Sequence, residues 1–257
     1  MFPAKGKTRR PILPPPPPAR AAWAYFIDLD GTLVDIADAP DAIAVDARLR
    51  QLLGELERVC GGAVAVVSGR ALADLDRHLA PTRLAAAGQH GLERRDAAGR
   101  LTTRAIDADI AAGLRDKLAP LVGRHPDLLL EDKGLSLALH YRRQPRLASY
   151  LHRLMRQYAA ASHGRIVLQR GKRVIEAKPA GIDKGTAIAE FLAEAPFRGR
   201  RPVFIGDDVT DEHGFAIVNA AQGLSIKVGA GATAARHRLP DVAAVLAWLS
   251  TTFEEPT

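Results

Sequence analysis

Short apolar runs followed by segments with helical spacing recur in two separate blocks of the chain, and this recurrence severely restricts the possible folds. In the first block, WAYFIDL at 23–29 and AVAVV at 63–67 predict buried strands, and the apolar spacing along 42–59 predicts a helix. In the second block, a predicted helix at 184–195 precedes the apolar strand PVFIG at 202–206. Parallel strands covered by helices on both faces have such nearly continuous apolar sequences. We therefore predict an α/β fold with a doubly wound parallel-sheet core.

The segment between these blocks has a different pattern. Helical spacing at 107–123 and at 145–161 is followed each time by two short predicted strands, separated by Gly134 and by Gly171. These strands alternate apolar and polar residues, which predicts an antiparallel sheet with one solvated face. We therefore expect a smaller α+β domain inserted into the core. The predicted boundaries are 1–20 for a disordered, basic and proline-rich tail, 21–104 for the first part of the core, 105–178 for the inserted domain and 179–257 for the second part of the core.

The net charge of +7 lies mostly on the first 20 residues. This segment contains five Lys or Arg residues and no acidic residue, whereas the rest of the chain has 31 basic and 29 acidic residues. The proline run at 14–18 favours an extended polyproline segment without a core. Because the basic excess is on a tail and not on a folded face, we predict no nucleic-acid partner. Binding of the tail to a polyanion or to another protein stays open as an alternative.

Cysteine content and hydropathy predict the compartment. Cys60 is the single cysteine, so no intrachain disulfide can form, and a reducing compartment, the cytoplasm, is expected. No apolar run approaches the roughly 18 residues that span a bilayer, so we predict no membrane partner. We also expect a monomer.

The segment FIDLDGTL at 26–33 is the strongest chemical signal. Asp28 and Asp30 follow an apolar strand, and side chains two residues apart in an extended segment project to the same side. Ligands bind at this edge of open α/β sheets, and Gly31 permits a sharp turn there. Two neighbouring carboxylates repel each other unless a cation is present, and Mg²⁺ prefers oxygen ligands. The alternative is a pair of carboxylates that only cap turns.

Four further segments fit the same predicted site. Ser68-Gly69-Arg70 follows a strand and opens a helix, where a hydroxyl can bind phosphate, although Ser-Gly after a strand is common. Lys184 lies at a helix start, where the helix dipole disfavours a cation without an anionic partner, and a solvated lysine is the alternative. IGDDVTDEHGF at 205–215 has four acidic residues in six positions, which favours a metal site over an acidic loop that caps a helix. AGQHGLE at 87–93 is a glycine-rich loop with a histidine, and its meaning is less certain.

These motifs resemble those of a known superfamily. Asp28-x-Asp30-Gly-Thr, Ser68, Lys184 and Gly206-Asp207-Asp208 occur in the order of the four haloacid dehalogenase motifs, and the resemblance spans about residues 24–250. FIDLDGTL, VSGR, AGQHGLE and GDDVTDE resemble segments of the trehalose-6-phosphate phosphatases of that superfamily. The resemblance implies a core with an α/β cap of the C2 type and a phosphatase that acts on a sugar phosphate.

The resemblance also implies a role for each motif residue. Asp28 would attack phosphorus to form an aspartyl-phosphate, and Asp30 would act as general acid and then as general base. The implied catalytic residues are Asp28, Asp30, Ser68 and Lys184. The implied phosphate-binding residues are Thr32, Ser68, Gly69, Arg70 and Lys184. Mg²⁺ would be bound by the Asp28 side chain, the Asp30 backbone carbonyl and Asp207, with Asp208 and Asp211 in the outer shell.

The cap is expected to select the sugar, because many hydroxyl groups require charged and amide side chains as partners. The candidates in the cap are Lys133, His140, Arg142, Lys172, Glu176 and Lys178. Those at the boundary between core and cap are Gln89, His90 and Glu93. In the segment KRVIEAK at 172–178, alternate residues share one face, and Glu176 is the first choice as a sugar ligand. A solvated sheet face is the alternative, and ordinary sheet packing is the alternative for His140.

Three alternatives to this function stay open. One is a capped phosphatase for another sugar phosphate, such as sucrose phosphate or mannosyl phosphoglycerate. Another is an inactive sugar-phosphate sensor, against which the intact pair Asp28 and Asp30 argues. A third is a binding role for the tail. The chain does not indicate whether a separate synthase associates. If the cap moves, its hinges are expected near 104–107 and 178–182.

Overall fold

The computed structural model describes residues 13–36, 43–171 and 173–253. In chain order, the strands and α-helices are β1 (Ala24–Ile27), α1 (Ala47–Val59), β2 (Val64–Val67), α2 (Leu72–Leu79), β3 (Ala85–Gly88), β4 (Glu93–Arg95), β5 (Leu101–Thr103), α3 (Ala108–Arg124), β6 (Leu129–Asp132), β7 (Leu137–His140), α4 (Ala148–Ala161), β8 (Ile166–Gly171), β9 (Val174–Pro179), α5 (Lys184–Leu192), β10 (Pro202–Gly206), α6 (Glu212–Ala220), β11 (Leu224–Val228), β12 (His237–Leu239) and α7 (Val242–Ser250).

An eight-stranded sheet forms the core, with the order β12-β11-β10-β1-β2-β3-β4-β5. The strands from β12 to β3 are parallel, and β4 and β5 add an antiparallel hairpin at one edge. Tyr25 and Ile27 pack in the apolar cluster that contains residues of α1, α2 and α7, whereas Phe26 packs with residues of α5 and α6. Both faces are therefore covered by helices, and the predicted doubly wound α/β core is confirmed.

A second, four-stranded sheet lies between α3 and α5 in the chain, with the order β6-β7-β9-β8 and antiparallel pairing throughout. Leu137, Leu139 and Ile175 pack with Leu114 and Leu151 of α3 and α4 in an apolar cluster of its own. The helices therefore cover one face of this sheet. The opposite face carries the alternating polar residues of β6, β7, β8 and β9, as the alternation predicts. The inserted α+β cap is confirmed as part of the fold.

Three strands were not predicted from the sequence: β4, β5 and β12. Strand β4 consists of Glu93, Arg94 and Arg95, which resemble a surface segment. Both arginines are nevertheless buried. Two nitrogens of the Arg95 guanidinium donate to Asp76 at 2.7 Å each, and the Arg94 guanidinium lies 4.2 Å from the centroid of the Phe191 ring. The strand is buried because distant residues supply its partners, and a local apolar pattern cannot show this.

The segment 13–20 differs from the disordered tail predicted for 1–20. The carbonyl of Pro17 accepts a hydrogen bond from the Trp248 indole at 2.8 Å, and that of Pro14 accepts one from the Arg238 amide at 3.1 Å. Pro16 and Ala19 are buried. A polyproline backbone leaves its carbonyls unpaired, and here α7 and the edge of β12 supply donors. Residues 1–12 of the predicted tail lie outside the described residues.

Within the described ranges, no helix combines the length and the apolar character that crossing a membrane requires.

Candidate active site

The strand ends of the core bring the four motifs together. Asp28 follows β1, Ser68 follows β2 and Asp207 follows β10, while Lys184 is the first residue of α5. Strand β1 lies between β2 and β10, so the chain runs outward from it in both directions. This reversal of strand order opens a crevice at the carboxyl ends of the strands, where doubly wound proteins bind ligands.

A buried ion-pair cluster forms the centre of this crevice. The Lys184 ammonium lies 2.8 Å from an oxygen of Asp28 and 2.6 Å from one of Asp211. Asp28 is 4% exposed, Lys184 2% and Asp211 0%. Burial raises the pKa of Asp28 well above its ordinary value, and Lys184 partly offsets this increase. Burial alone would lower the pKa of Lys184, but Asp28 and Asp211 together raise it, so the lysine stays charged.

Three carboxylates of the cluster converge closely enough to share a cation. Oxygens of Asp28, Asp207 and Asp211 lie within 4.8 Å of one another. Burial, the larger cause, and the neighbouring Asp211 raise the pKa of Asp207 to about 6. Both oxygens of Asp211 accept hydrogen bonds, from Lys184 and from the backbone amide of Asp208 at 2.9 Å. These carboxylates therefore fit a metal ion with a preference for oxygen ligands, with Asp28 and Asp207 best placed as direct ligands.

The backbone approaches this cluster closely at Gly31. Its φ angle is +75°, and a Cβ atom there would lie 2.3 Å from a carboxylate oxygen of Asp207. Both the left-handed conformation and the lack of space require glycine. The turn that Gly31 forms therefore lets the strands β1 and β10 present their carboxylates to one point.

The predicted phosphate-binding residues border the same crevice, with one difference. Thr32 and Ser68 are buried, and the Thr32 hydroxyl has no hydrogen-bond partner among the described residues. Arg70, in contrast, donates two hydrogen bonds of 2.7 Å to Asp30 and one of 2.7 Å to Asp74. The structure thus places the Arg70 guanidinium on carboxylates, where the sequence predicted a phosphate contact.

A cleft of about 780 Å³ lies between the core and the cap. Its core side is lined by His90, Lys184, Asp208, Val209 and His213 among others. The cap side is lined by β8, from Val167 to Gly171, and by Lys178 of β9. The cleft therefore joins the carboxylate cluster to the polar face of the cap sheet, and its volume suits a drug-sized or disaccharide-sized ligand.

The predicted sugar-binding residues of the cap are only partly brought together. Lys178 is buried and lines the cleft, and burial lowers its pKa. Glu176 lies on the same sheet face, 3.5 Å from the Lys133 ammonium, and accepts a hydrogen bond from Ser136. Lys172 lies outside the described residues.

His140 and Arg142 line a different cavity of about 570 Å³. This cavity lies at the end of the cap sheet away from the chain connections to the core, where the Nε2 atom of His140 contacts Glu131 at 2.7 Å. The structure therefore does not bring His140 and Arg142 into the cleft.

The boundary residues Gln89, His90 and Glu93 have distinct environments. Glu93 accepts hydrogen bonds from the Leu72 amide at 2.6 Å and from the Gln89 side chain at 3.0 Å. Leu72 opens α2, so Glu93 acts as a cap for that helix. Of the three residues, His90 alone lines the cleft.

Two residues of this region were missed in the sequence. Lys227 is buried in β11 and donates to the backbone carbonyls of Asp207 and Val228, which holds the Asp207 loop in place. A lysine inside the apolar run LSIKV was a signal for it. Gln169 lines the cleft and contacts His90. No local pattern distinguishes Gln169 from other polar residues of an alternating strand.

Comparisons with known proteins identify relatives of this chain. The trehalose-phosphatase family model matches residues 26–243. Trehalose-6-phosphate phosphatase from Escherichia coli strain K12 is 44% identical over 233 residues, which cover 91% of this chain and 87% of that protein. A probable trehalose-phosphate phosphatase from Sinorhizobium fredii is 44% identical over 207 residues, covering 80% of this chain and 78% of that protein.

A solved structure shows the same fold. The C-terminal domain of Candida albicans trehalose-6-phosphate phosphatase superimposes with a TM-score of 0.73 at 21% identity, covering 89% of this chain and 91% of that chain. Motif order, the carboxylate cluster at the strand ends and these similarities lead to one conclusion: the chain belongs to the trehalose-phosphatase family.

Proposed function

We propose that the protein hydrolyses trehalose 6-phosphate to trehalose and phosphate through an aspartyl-phosphate on Asp28. The observation that carries the proposal is the buried Asp28 carboxylate beside Lys184, at the point where the cleft meets the carboxylate cluster. The family relationship supports trehalose 6-phosphate as the substrate, because the proteins from E. coli and S. fredii are named for that activity.

The chemistry divides into two displacements at phosphorus. In the first, an Asp28 oxygen bonds to phosphorus while the bond to the sugar oxygen breaks, and protonated Asp30 gives its proton to that oxygen. In the second, water attacks the aspartyl-phosphate, Asp30 takes a proton from the water, and Asp28 is released together with phosphate. Ser68, Thr32 and Lys184 bind the phosphate oxygens in both steps.

Lys184 has a second role in this proposal. Its ammonium is already held by Asp28 and Asp211 at 2.8 and 2.6 Å, so it is oriented before substrate arrives. A positioned positive charge in a buried site stabilises the negative charge of the transferring phosphoryl group without further reorganisation. The pair with Asp211 also prevents the lysine from neutralising the nucleophile completely.

Asp30 must exchange partners during the reaction. In the structure its two oxygens accept hydrogen bonds from Arg70, and the Asp30 side chain is about one third exposed. To protonate the sugar oxygen, Asp30 has to release at least one of these bonds. Arg70 therefore acts, in this proposal, as the group that holds Asp30 between turnovers, and not as a phosphate ligand.

Mg²⁺ is proposed as the metal ion, because the donors that converge are carboxylate oxygens. Asp28 and Asp207 would bind it directly, together with the Asp30 carbonyl, while Asp211 and Asp208 would orient the site from outside. The ion would supply positive charge that offsets the charge of the phosphate.

The cap is proposed to choose the sugar and to exclude water. Lys178 lines the cleft, and Glu176, which pairs with Lys133, lies on the same face of β9, so this face offers charged groups that suit a ligand with many hydroxyls. We propose hinges at 104–107 and 178–182, the two segments that join the cap to the core. A monomeric state and a location in the cytoplasm stay predictions, and the association of a synthase stays open.

The deciding experiment is phosphate release from trehalose 6-phosphate, measured with Mg²⁺ and after removal of the metal with EDTA. Glucose 6-phosphate, sucrose phosphate and mannosyl phosphoglycerate serve as the comparison panel. Strong release from trehalose 6-phosphate alone, lost in EDTA and restored by Mg²⁺, is expected. Release from another member alone would keep the Asp28 chemistry and refute the assigned sugar. Binding without release from any substrate would identify a sensor.

A further inference from the structure

The loop after β3 is held in an unfavourable conformation at the edge of the cleft. Gln89 and His90 have φ angles of +46° and +58°, in the left-handed region that residues with a Cβ atom rarely adopt. Their backbone amides donate to the carbonyls of Arg70 at 2.7 Å and of Ser68 at 2.9 Å. Such strain persists where the surroundings enforce it, and it is common at functional sites. The loop and the segment 68–70 are therefore joined into one unit.

The His90 side chain extends this connection. A Cβ atom at Gly69 would lie 2.8 Å from the Cε1 and Nε2 atoms of the His90 ring, so the ring packs directly on the Gly69 backbone. Burial, with Lys184, Lys178 and Lys133 nearby, lowers the pKa of His90 to about 3. The ring is therefore neutral at physiological pH, with one nitrogen as donor and the other as acceptor.

Gln169 of the cap strand β8 supplies a donor to this ring. Its amide nitrogen lies 2.8 Å from the His90 Nε2 atom. In this orientation the amide nitrogen donates to Nε2 and the ring proton lies on Nδ1, whereas the reversed amide accepts from an Nε2–H with its oxygen, so the contact can form with either tautomer. Of the side-chain hydrogen bonds formed within the described ranges, this one alone connects the strands of the cap sheet to the core loops. The bond joins the cap to the loop that rests on the predicted phosphate-binding segment.

We propose that Gln169 is a positioning residue that holds the cap closed through His90 and thereby couples cap closure to the phosphate-binding segment. With the cap closed, the bond keeps the His90 ring packed on Gly69. When the cap opens, His90 loses this partner, and the strained loop can relax together with Ser68 and Arg70. The catalytic consequence rests on the proposed function, whereas the bond itself does not depend on the identity of the substrate.

The test compares Gln169→Leu with Gln157→Leu, the same change at an exposed position of α4. Spin labels on cysteines introduced at Ser149 of α4 and Gln51 of α1, both exposed, report the distance from cap to core. Cys60 is fully buried, which protects it from labelling. The distance distribution is measured on the substrate-free full chain with Mg²⁺. We expect Gln169→Leu to raise the ratio of open to closed molecules roughly 2- to 10-fold, the factor for one neutral hydrogen bond.

Two further readouts separate positioning from sugar binding. Gln169→Glu should restore the closed distance, because a carboxylate can accept from the other tautomer of His90. A residue that only binds sugar would change KM without changing the substrate-free distance. Identical distance distributions for Gln169→Leu and Gln157→Leu would overturn the proposal. If no variant releases phosphate from trehalose 6-phosphate, the proposed function fails, while the distance measurement still decides the role of Gln169.

Discussion

The catalytic end of the core and the polar face of the cap sheet line the same cleft, but they are organised differently. In the core, Asp28, Lys184 and Asp211 are almost fully buried and joined by contacts of 2.6 and 2.8 Å. In the cap, the corresponding charged pair of Lys133 and Glu176 is separated by 3.5 Å and is partly exposed. The core is therefore organised before substrate arrives, whereas the charged groups of the cap are held less tightly.

This difference has a physical reason. Groups that stabilise charge at the reacting phosphorus act best in a dry site where they need not move. Groups that recognise sugar hydroxyls must first admit a large ligand, so we propose that they lie on a surface that can separate from the core. Substitutions in the core should therefore abolish turnover, and those in the cap should change affinity.

The largest effect is expected for Asp28→Asn. Loss of the nucleophile should lower kcat by roughly 10⁵- to 10⁶-fold, as when the nucleophile of another covalent enzyme is removed. The fold should persist, because burial already disfavours the Asp28 charge. Phosphate release measures the loss of activity, and circular dichroism of the variant measures whether the fold persists. Near-full activity of a pure preparation would show that the core does not work by covalent catalysis.

Asp30→Asn should have the next largest effect. Removing the general acid and base costs typically 10²- to 10⁴-fold in kcat. Because the second step also needs this base, a phosphoenzyme should accumulate, which rapid quenching and mass spectrometry can detect. Asp74→Asn is the matched control, since Asp74 also accepts a hydrogen bond from Arg70 but lies on α2. An equal loss of kcat in the two variants would argue that Asp30 acts only through Arg70.

In the cap, Glu176→Gln should raise KM for trehalose 6-phosphate roughly 10- to 100-fold with a small change in kcat, the range for a hydrogen bond to a charged group. Glu131→Gln is the control, because Glu131 lies on the same sheet face but pairs with His140 near the second cavity. Steady-state kinetics of both variants separates the effects. If only kcat fell, Glu176 would act in the chemical step. The proposed contrast, in which the core sets turnover and the cap sets affinity, would then be wrong.

The smallest effect concerns pH and His90, at the boundary of the two regions. The pKa of His90 is lowered from 6.5 to about 3, so its contribution to stability is complete above about 6.5 and is lost as the pH falls toward 3. Each pH unit in that window should cost about 1.4 kcal/mol in the free energy of unfolding. Urea unfolding of the wild type and of His90→Gln at pH 7 and 5.5 measures the difference. Equal pH dependence of the two proteins would contradict a buried, neutral His90.

Some elements were predictable because their signals are local. The apolar strands β1, β2 and β10 and the polar residues that follow them predicted both the parallel core and the convergence of Asp28, Ser68 and Asp207. The charged strand β4 was not predictable in this way, because Arg95 is buried only through Asp76 on another element. The packing of Pro14 and Pro17 likewise depends on donors more than 200 residues away.

By itself, the sequence determined the layered α/β architecture, the inserted cap and the residue types at the reacting centre, because apolar periodicity and motif order are properties of short segments. Only the tertiary structure decided which polar residues of the cap face the cleft. It placed Gln169 and Lys178 in the cleft, His140 and Arg142 in another cavity, and Arg70 on Asp30. Alternation along a strand specifies a face of the sheet, but the partner of that face depends on how two separately folded layers meet.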